Sequence, residues 1–157
     1  MTSAHSTDAK EGRLGLSENR FLFWWHWLQG MSVLVGLTGL TMVLLPQPMI
    51  RFYSLLLYGD WEFLGTLPPQ ANAYIGFAHG VLGATMLGWA CLLLFTLRGP
   101  FRKGERFGWQ ACTVSLLAWF IPDTSLSIAF GFASNAAMNL ALLILFAIPL
   151  WKTRPLS

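Results

Sequence analysis

Charge is scarce in this chain, and cysteine is scarcer. Only 11 % of its 157 residues are Asp, Glu, Lys or Arg, 2 are cysteines, and 55 % are hydrophobic. With a mean hydropathy of +0.54, this composition falls outside the usual soluble range. About four membrane spans of roughly 20 residues each take up most of the length, which leaves little for a separate soluble domain. Cys91 and Cys112 form no CxxC or metal-spaced motif, so neither a disulfide framework nor a zinc site is expected. Both fall near the basic-flanked ends of apolar stretches, where a reducing compartment keeps thiols free and cysteine serves as a small hydrophobe. The GxSxG, HExxH, P-loop and Rossmann fingerprints are missing. No two carboxylates lie inside the apolar stretches, which excludes acid–base chemistry of the paired-carboxylate type.

What charge there is lies unevenly. Of the 10 basic residues, Lys10, Arg13 and Arg20 precede the first apolar stretch, and Arg98, Arg102, Lys103 and Arg106 join the second to the third. Lys152 and Arg154 follow the fourth, and Arg51 alone lies on the other side. Positive loops mark the cytoplasmic face. The expectation is an all-α integral membrane protein of the bacterial inner membrane: a bundle of four transmembrane helices with both termini cytoplasmic. The spans run about 21–45, 70–97, 107–130 and 134–150, within a transmembrane domain of residues 21–151. Cytoplasmic tails at 1–20 and 152–157 complete the chain. The first tail is polar and has no small-residue cleavage site after a short apolar core, so it is not read as a removable signal. The net charge of +3 sits only beside spans. That suits orientation and anionic lipid, not nucleic acid.

Between the first two spans, Pro48 to Tyr58 is too short to cross a bilayer and too apolar for a free loop. It is read as an external amphipathic helix started by Pro48. Asp60 and Glu62 come next and are read as solvated loop charges, with binding of a cation or a basic partner as the alternative. Trp24, Trp25, Trp27, Trp109 and Trp151 would line the cytoplasmic interface, and Tyr58, Trp61, Phe63 and Tyr74 the opposite one.

Helix packing is expected on the second span. There Gly76, Gly80, Ala84 and Gly88 recur every fourth residue and Gly83 widens the groove, a small-xxx-small row that admits another backbone. A helix of the same chain is the preferred partner and a neighbouring protein the alternative.

Polar groups in hydrocarbon are costly and mark functional hypotheses. By the helical rise, His79 lies about 27 Å from the cytoplasmic edge, Asp123 and Asn135 about 24 Å, and Asn139 about 18 Å. The expected site is a hydrogen-bonded cluster centred on His79 and Asp123, with Asn135 and Asn139 beside it and Asn72 further along the His79 stripe. It reads as structural glue, as a small-molecule or lipid pocket, or as a catalytic or proton-handling site. Asp123 has a local alternative: Pro122 ends or kinks the third span and Asp123 caps a short helix after it. Ser134 or Asn135 can cap the fourth span in the same way. His26 and His79 differ in depth by some 18 Å, too far to share one haem iron, and His26 is read as an interfacial anchor.

The stretch Gly99-Pro-Phe-Arg-Lys-Gly-Glu-Arg106, Trp109, Trp119-Phe-Ile-Pro-Asp-Thr-Ser125, Asn135-Ala-Ala-Met-Asn139 and Ala147-Ile-Pro-Leu150 resembles a loose group of small four-helix bacterial inner-membrane proteins with no assigned activity. The resemblance covers the second half of the chain and implies a compact four-helix fold. The leading functional expectation is a non-catalytic accessory or assembly subunit of a larger membrane complex, with a membrane-protein partner or a homo-oligomer, and with lipid or pigment at its aromatic surface. The second is a small-molecule-binding protein or transporter using the polar cluster, and the third an intramembrane enzyme on the same residues. No catalytic residue, metal or fixed cofactor is assigned.

Overall fold

The computed structural model describes residues 3–155, with side chains from residue 18 onward. Five helices make up the described chain: α1 (Ser3–Leu44), α2 (Pro46–Tyr58), α3 (Pro69–Thr96), α4 (Arg106–Ala129) and α5 (Ala133–Lys152). A single 3-10 turn, Phe63–Thr66, precedes α3, and a π turn, Leu97–Phe101, comes after it. There is no strand among the described residues. Four helices are long and apolar enough to cross a membrane: α1 from Glu18, α3 with its π turn, α4 and α5.

Prolines and glycines set the boundaries. Pro46 and Pro69 open α2 and α3, where the missing N–H has no helical partner to lose. The external helix therefore starts at Pro46, two residues before the expected Pro48. Gly59 ends α2 at φ 74° and donates its N–H to the Leu55 carbonyl, a backbone state that L side chains rarely adopt. Pro122 neither ends α4 nor starts a new helix, and α4 runs on to Ala129. The capping role expected as the alternative for Asp123 is thereby replaced. Similarly, α5 has Phe132 at its N-cap with no side-chain cap, so neither Ser134 nor Asn135 caps it. The expected N-terminal tail is helical from Ser3 and continuous with the first span, since residues 3–20 hold no proline. The far ends of both tails, 1–2 and 156–157, lie outside the described residues.

The closest helix pair is α1 and α3. A Cβ on Gly83 would strike the Gly39 carbonyl oxygen and come within 2.7 Å of Met42 Cβ, so the two glycines set the distance between these helices. The expected row departs from this line. A Cβ on Gly76 would come within 3.8 Å of Ile50 of α2, one on Gly80 or Gly88 would meet nothing within 4 Å, and Ala84 is exposed. Four residues advance a helix by about 400°, so an every-fourth row drifts about 40° per step. Gly76 begins near the α1-facing line and Gly88 ends far from it. Gly83 and Ala90, seven apart, stay on it.

Helix α1 also lies along α5, and α4 along α5, but α3 and α4 barely touch. The buried core sits at the end carrying the chain termini, around Trp25, Leu28, Leu97, Phe101, Phe146 and Leu150. Three indoles tie it. Trp25 Nε1 donates to the Leu97 carbonyl at 2.8 Å and Trp109 Nε1 to the Leu150 carbonyl at 2.7 Å. Trp27 Nε1 donates to the Leu145 carbonyl at 3.0 Å, the acceptor that Pro149 leaves without its helical N–H. Trp25, placed at the headgroup belt by its sequence position, is only 6 % exposed and sits 4.5 Å beneath the Arg102 guanidinium. The core reclaims it because an indole that fills space and bonds a helix-end carbonyl need not reach water.

Candidate functional site in the crevice between α3 and α4

The tight turn through Gly131 folds α5 back along α4, which sets Asp123 across from Asn135 and Asn139. Asn139 Nδ2 donates to Asp123 Oδ1 at 3.0 Å and Asn135 Nδ2 to the same oxygen at 3.2 Å. Ser127, one turn beyond Asp123, adds its hydroxyl at 3.4 Å to Oδ1 and accepts from Asn135 Nδ2 at 2.7 Å. Thr124 Oγ1 accepts from Asn139 Nδ2 at 3.4 Å. Asn139 and Ser127 are buried; Asp123 and Asn135 are half-buried. Both asparagine amides converge on one carboxylate oxygen, whereas the shorter bond of the Ser127 hydroxyl, 2.8 Å, goes to the Asp123 backbone carbonyl. Among the described residues, nothing donates to Oδ2.

His79 does not belong to this network. Its Nδ1 pairs with the Ile75 carbonyl of its own helix at 2.8 Å, and its ring meets Tyr53 of α2 edge-on with centroids 5.1 Å apart. The expected centre on His79 and Asp123 is thus replaced by a centre on Asp123 alone, because equal depth does not imply a shared azimuth. Asn72 serves the loop before α3, donating to the Leu67 carbonyl at 2.9 Å. The Arg51–Glu62 ion pair, 3.6 Å and exposed, and Asp60 Oδ1 accepting the Glu62 N–H, use the external carboxylates within their loop. His26 pairs through Nδ1 with the Leu22 carbonyl. Cys91 is exposed and Cys112 buried, both as free thiols. No group of three or more His, Cys, Asp or Glu side chains suited to a metal occurs among the described residues.

Where α3 and α4 part, a cavity of about 480 Å³ opens, within the roughly 300–1,000 Å³ of small-molecule pockets. Its end near α2 is polar, formed by Asp123, Asn135 and Asn139 with Tyr53 at the rim; the rest is mainly apolar, walled by Trp89, Trp119, Met138 and Phe146, with the Thr85 and Ser115 hydroxyls bonded back to their own helices. The two indoles stand 6.1 Å apart between centroids. Leu82 and Thr85 of α3 and Ala118 of α4 also line it and are exposed, so the mouth faces sideways between the two helices. From Ser115 to Asp123 the cavity runs along two turns of α4, about 12 Å. Pro122, inside α4, has no N–H to give the Ala118 carbonyl, yet the helix runs on past it.

Tyr53 and Thr124 do not stand out in the sequence. Ser127 carries a signal, since it lies one turn from Asp123 and on the same face. Tyr53 carries none, because its place at the site depends on α2 folding back against α3 and α5. Its phenol is pushed above the usual tyrosine value of 10.0, first by burial and then by the nearby Asp123 carboxylate. No family model, curated protein or solved structure matches the chain, and the functional reading therefore rests on this geometry.

Proposed function

We propose that the chain is a membrane-embedded binding protein, holding or passing a lipophilic small molecule in the crevice between α3 and α4. The observation that carries this reading is the union, in one cavity, of an apolar body and a single polar end built from Asp123, Asn135 and Asn139. A ligand would enter sideways, since the mouth lies between the two helices. The positive loops support an inner-membrane setting with cytoplasmic termini, which places the polar end in the outer half of the bilayer. In an enzymatic reading, His79 would serve Ser125 or Ser127 as base. Here His79 Nδ1 pairs with the Ile75 carbonyl, and the Ser125 and Ser127 hydroxyls donate to the Ile121 and Asp123 carbonyls of their own helix.

Thermal stability in mild detergent tests the binding reading, because a ligand that prefers the folded state raises the melting temperature. Lipophilic candidates are expected to stabilise the native sequence and to lose that effect in Ala118→Trp, where bulk on an exposed rim position blocks the mouth. Equal stabilisation of both proteins would refute the assignment of the site.

A second reading, an accessory subunit or homo-oligomer, is favoured by the stripe of Gly80, Ala84 and Gly88, where a Cβ on either glycine would have open space and Ala84 is exposed. Leucine at Gly80 would dissociate a partner seated there, and retention of the partner would sink that reading. Membrane lipid is the remaining partner, and nucleic acid is not among them.

A further inference from the structure

We infer that the molecule selected by the crevice carries an amine or ammonium head on an apolar body. This rests on the binding reading above and gives it a chemical class. Asp123 is a carboxylate inside a membrane-spanning stretch, whereas Glu18 stands at the very end of one, and charged groups at such depth pair with one another or with a polar partner. The protein supplies Asp123 with hydrogen-bond donors but, among the described residues, no cation. Arg51 is engaged by Glu62 outside the spans, His79 turns to Ile75 and Tyr53, and the remaining described basic side chains cluster at the opposite end of the helices. What remains at the polar end is acceptor: Oδ2 of Asp123, to which no described residue donates, and the Oδ1 that the asparagines share. A head that donates fits these atoms, and one that only accepts does not.

The aromatic walls narrow the class further. Trp119 lies one turn from Asp123 on α4, with Trp89 opposite it on α3 and Tyr53 at the rim. Indole faces attract ammonium groups through their negative quadrupole. One carboxylate flanked by aromatic faces suits a cation better than a neutral hydroxyl, which gains only the hydrogen bond. A carboxylate head would meet Asp123 as a like charge and lose on both counts.

The test compares dodecylamine, dodecanol and dodecanoate, equal in chain length and different in head, on the full-length protein in neutral-lipid nanodiscs. Binding is monitored by titration calorimetry, with Ala118→Trp as the blocked control for partition into lipid. Dodecylamine is expected to bind saturably and at least about tenfold more tightly than dodecanol, the ratio one charge-assisted bond supports. Dodecanoate is expected to be weakest. Asp123→Asn should remove the preference for the amine and leave the alcohol in place. The ranking on the native sequence needs no variant, so the inference stays decidable even where Asp123→Asn folds poorly. If dodecanol or dodecanoate matches dodecylamine, the head-group inference falls and the pocket stands. If none of the three binds above the blocked control, the pocket reading falls with it.

Discussion

Asn139, at 1 % exposure, directs its amide N–H at Asp123 Oδ1 from 3.0 Å, tying α5 to α4 at the polar end of the crevice. The same carboxylate oxygen takes Asn135 from one turn earlier on α5. Interhelical bonds of this kind in membranes average about 0.6 kcal/mol and reach about 1.7. Their larger effect is to specify which faces meet. Asn139→Leu, close to isosteric, is expected to lower stability by about 1 kcal/mol. Reversible unfolding in mixed micelles measures it, and an unchanged midpoint would show that the bond holds nothing together.

His79 gives the contrasting expectation. Its ring packs edge-on against Tyr53 and its Nδ1 stays within its own helix, so His79→Phe keeps the aromatic contact. Stability should change by less than about 1 kcal/mol, and ligand binding in the crevice should be unchanged. A loss of binding with the fold intact would return His79 to the site.

Two glycines one turn apart should separate cleanly. Gly83 faces the Gly39 carbonyl with no room for a Cβ, whereas a Cβ on Gly80 would meet nothing within 4 Å. Gly83→Leu is expected to cost at least about 1–3 kcal/mol through overpacking. Gly80→Leu should stay within about 0.5 kcal/mol. Melting temperatures of the two variants in one detergent decide this, and the reverse order would mean that α1 and α3 pack along a different line.

Tyr53 links the crevice to pH. Burial and the Asp123 charge both disfavour its phenolate and raise its pKa above 10.0. The folded protein therefore keeps a proton that the unfolded chain has lost. The contribution to stability is fully present below about pH 10, the unfolded value, and is lost as pH rises through the folded one. In a difference titration against Tyr53→Phe, phenolate absorbance should appear above about pH 10. In Asp123→Asn it should move part of the way back, because burial, the larger cause, remains.

The helices were legible because long apolar runs end at prolines and charges. The π turn at Leu97–Phe101 and the start of α4 at Arg106 fall where the basic loop interrupts hydropathy. Much of the site was not. Depth along a helix comes from residue number alone, which is why Asp123, Asn135 and Asn139 group together in the sequence. The direction each side chain faces depends on helix pairing, and there His79 parted from them. The glycine row misled for a related reason. Spacing by four suits a short crossing, yet across several turns it drifts away from the partner that Gly83 and Ala90 keep facing. Trp25 shows the limit of interface statistics, since its indole was claimed by the Leu97 carbonyl. The crevice arises from how little α3 and α4 touch, a property of no single segment.

The central claim is that the crevice between α3 and α4 holds a ligand at Asp123, and the native mass of the protein released from its own membranes in mild detergent tests it most directly. One small-molecule adduct per chain is expected, kept in His79→Phe and Gly80→Leu and lost in Ala118→Trp. A chain without an adduct, or an adduct that Ala118→Trp leaves in place, would contradict it.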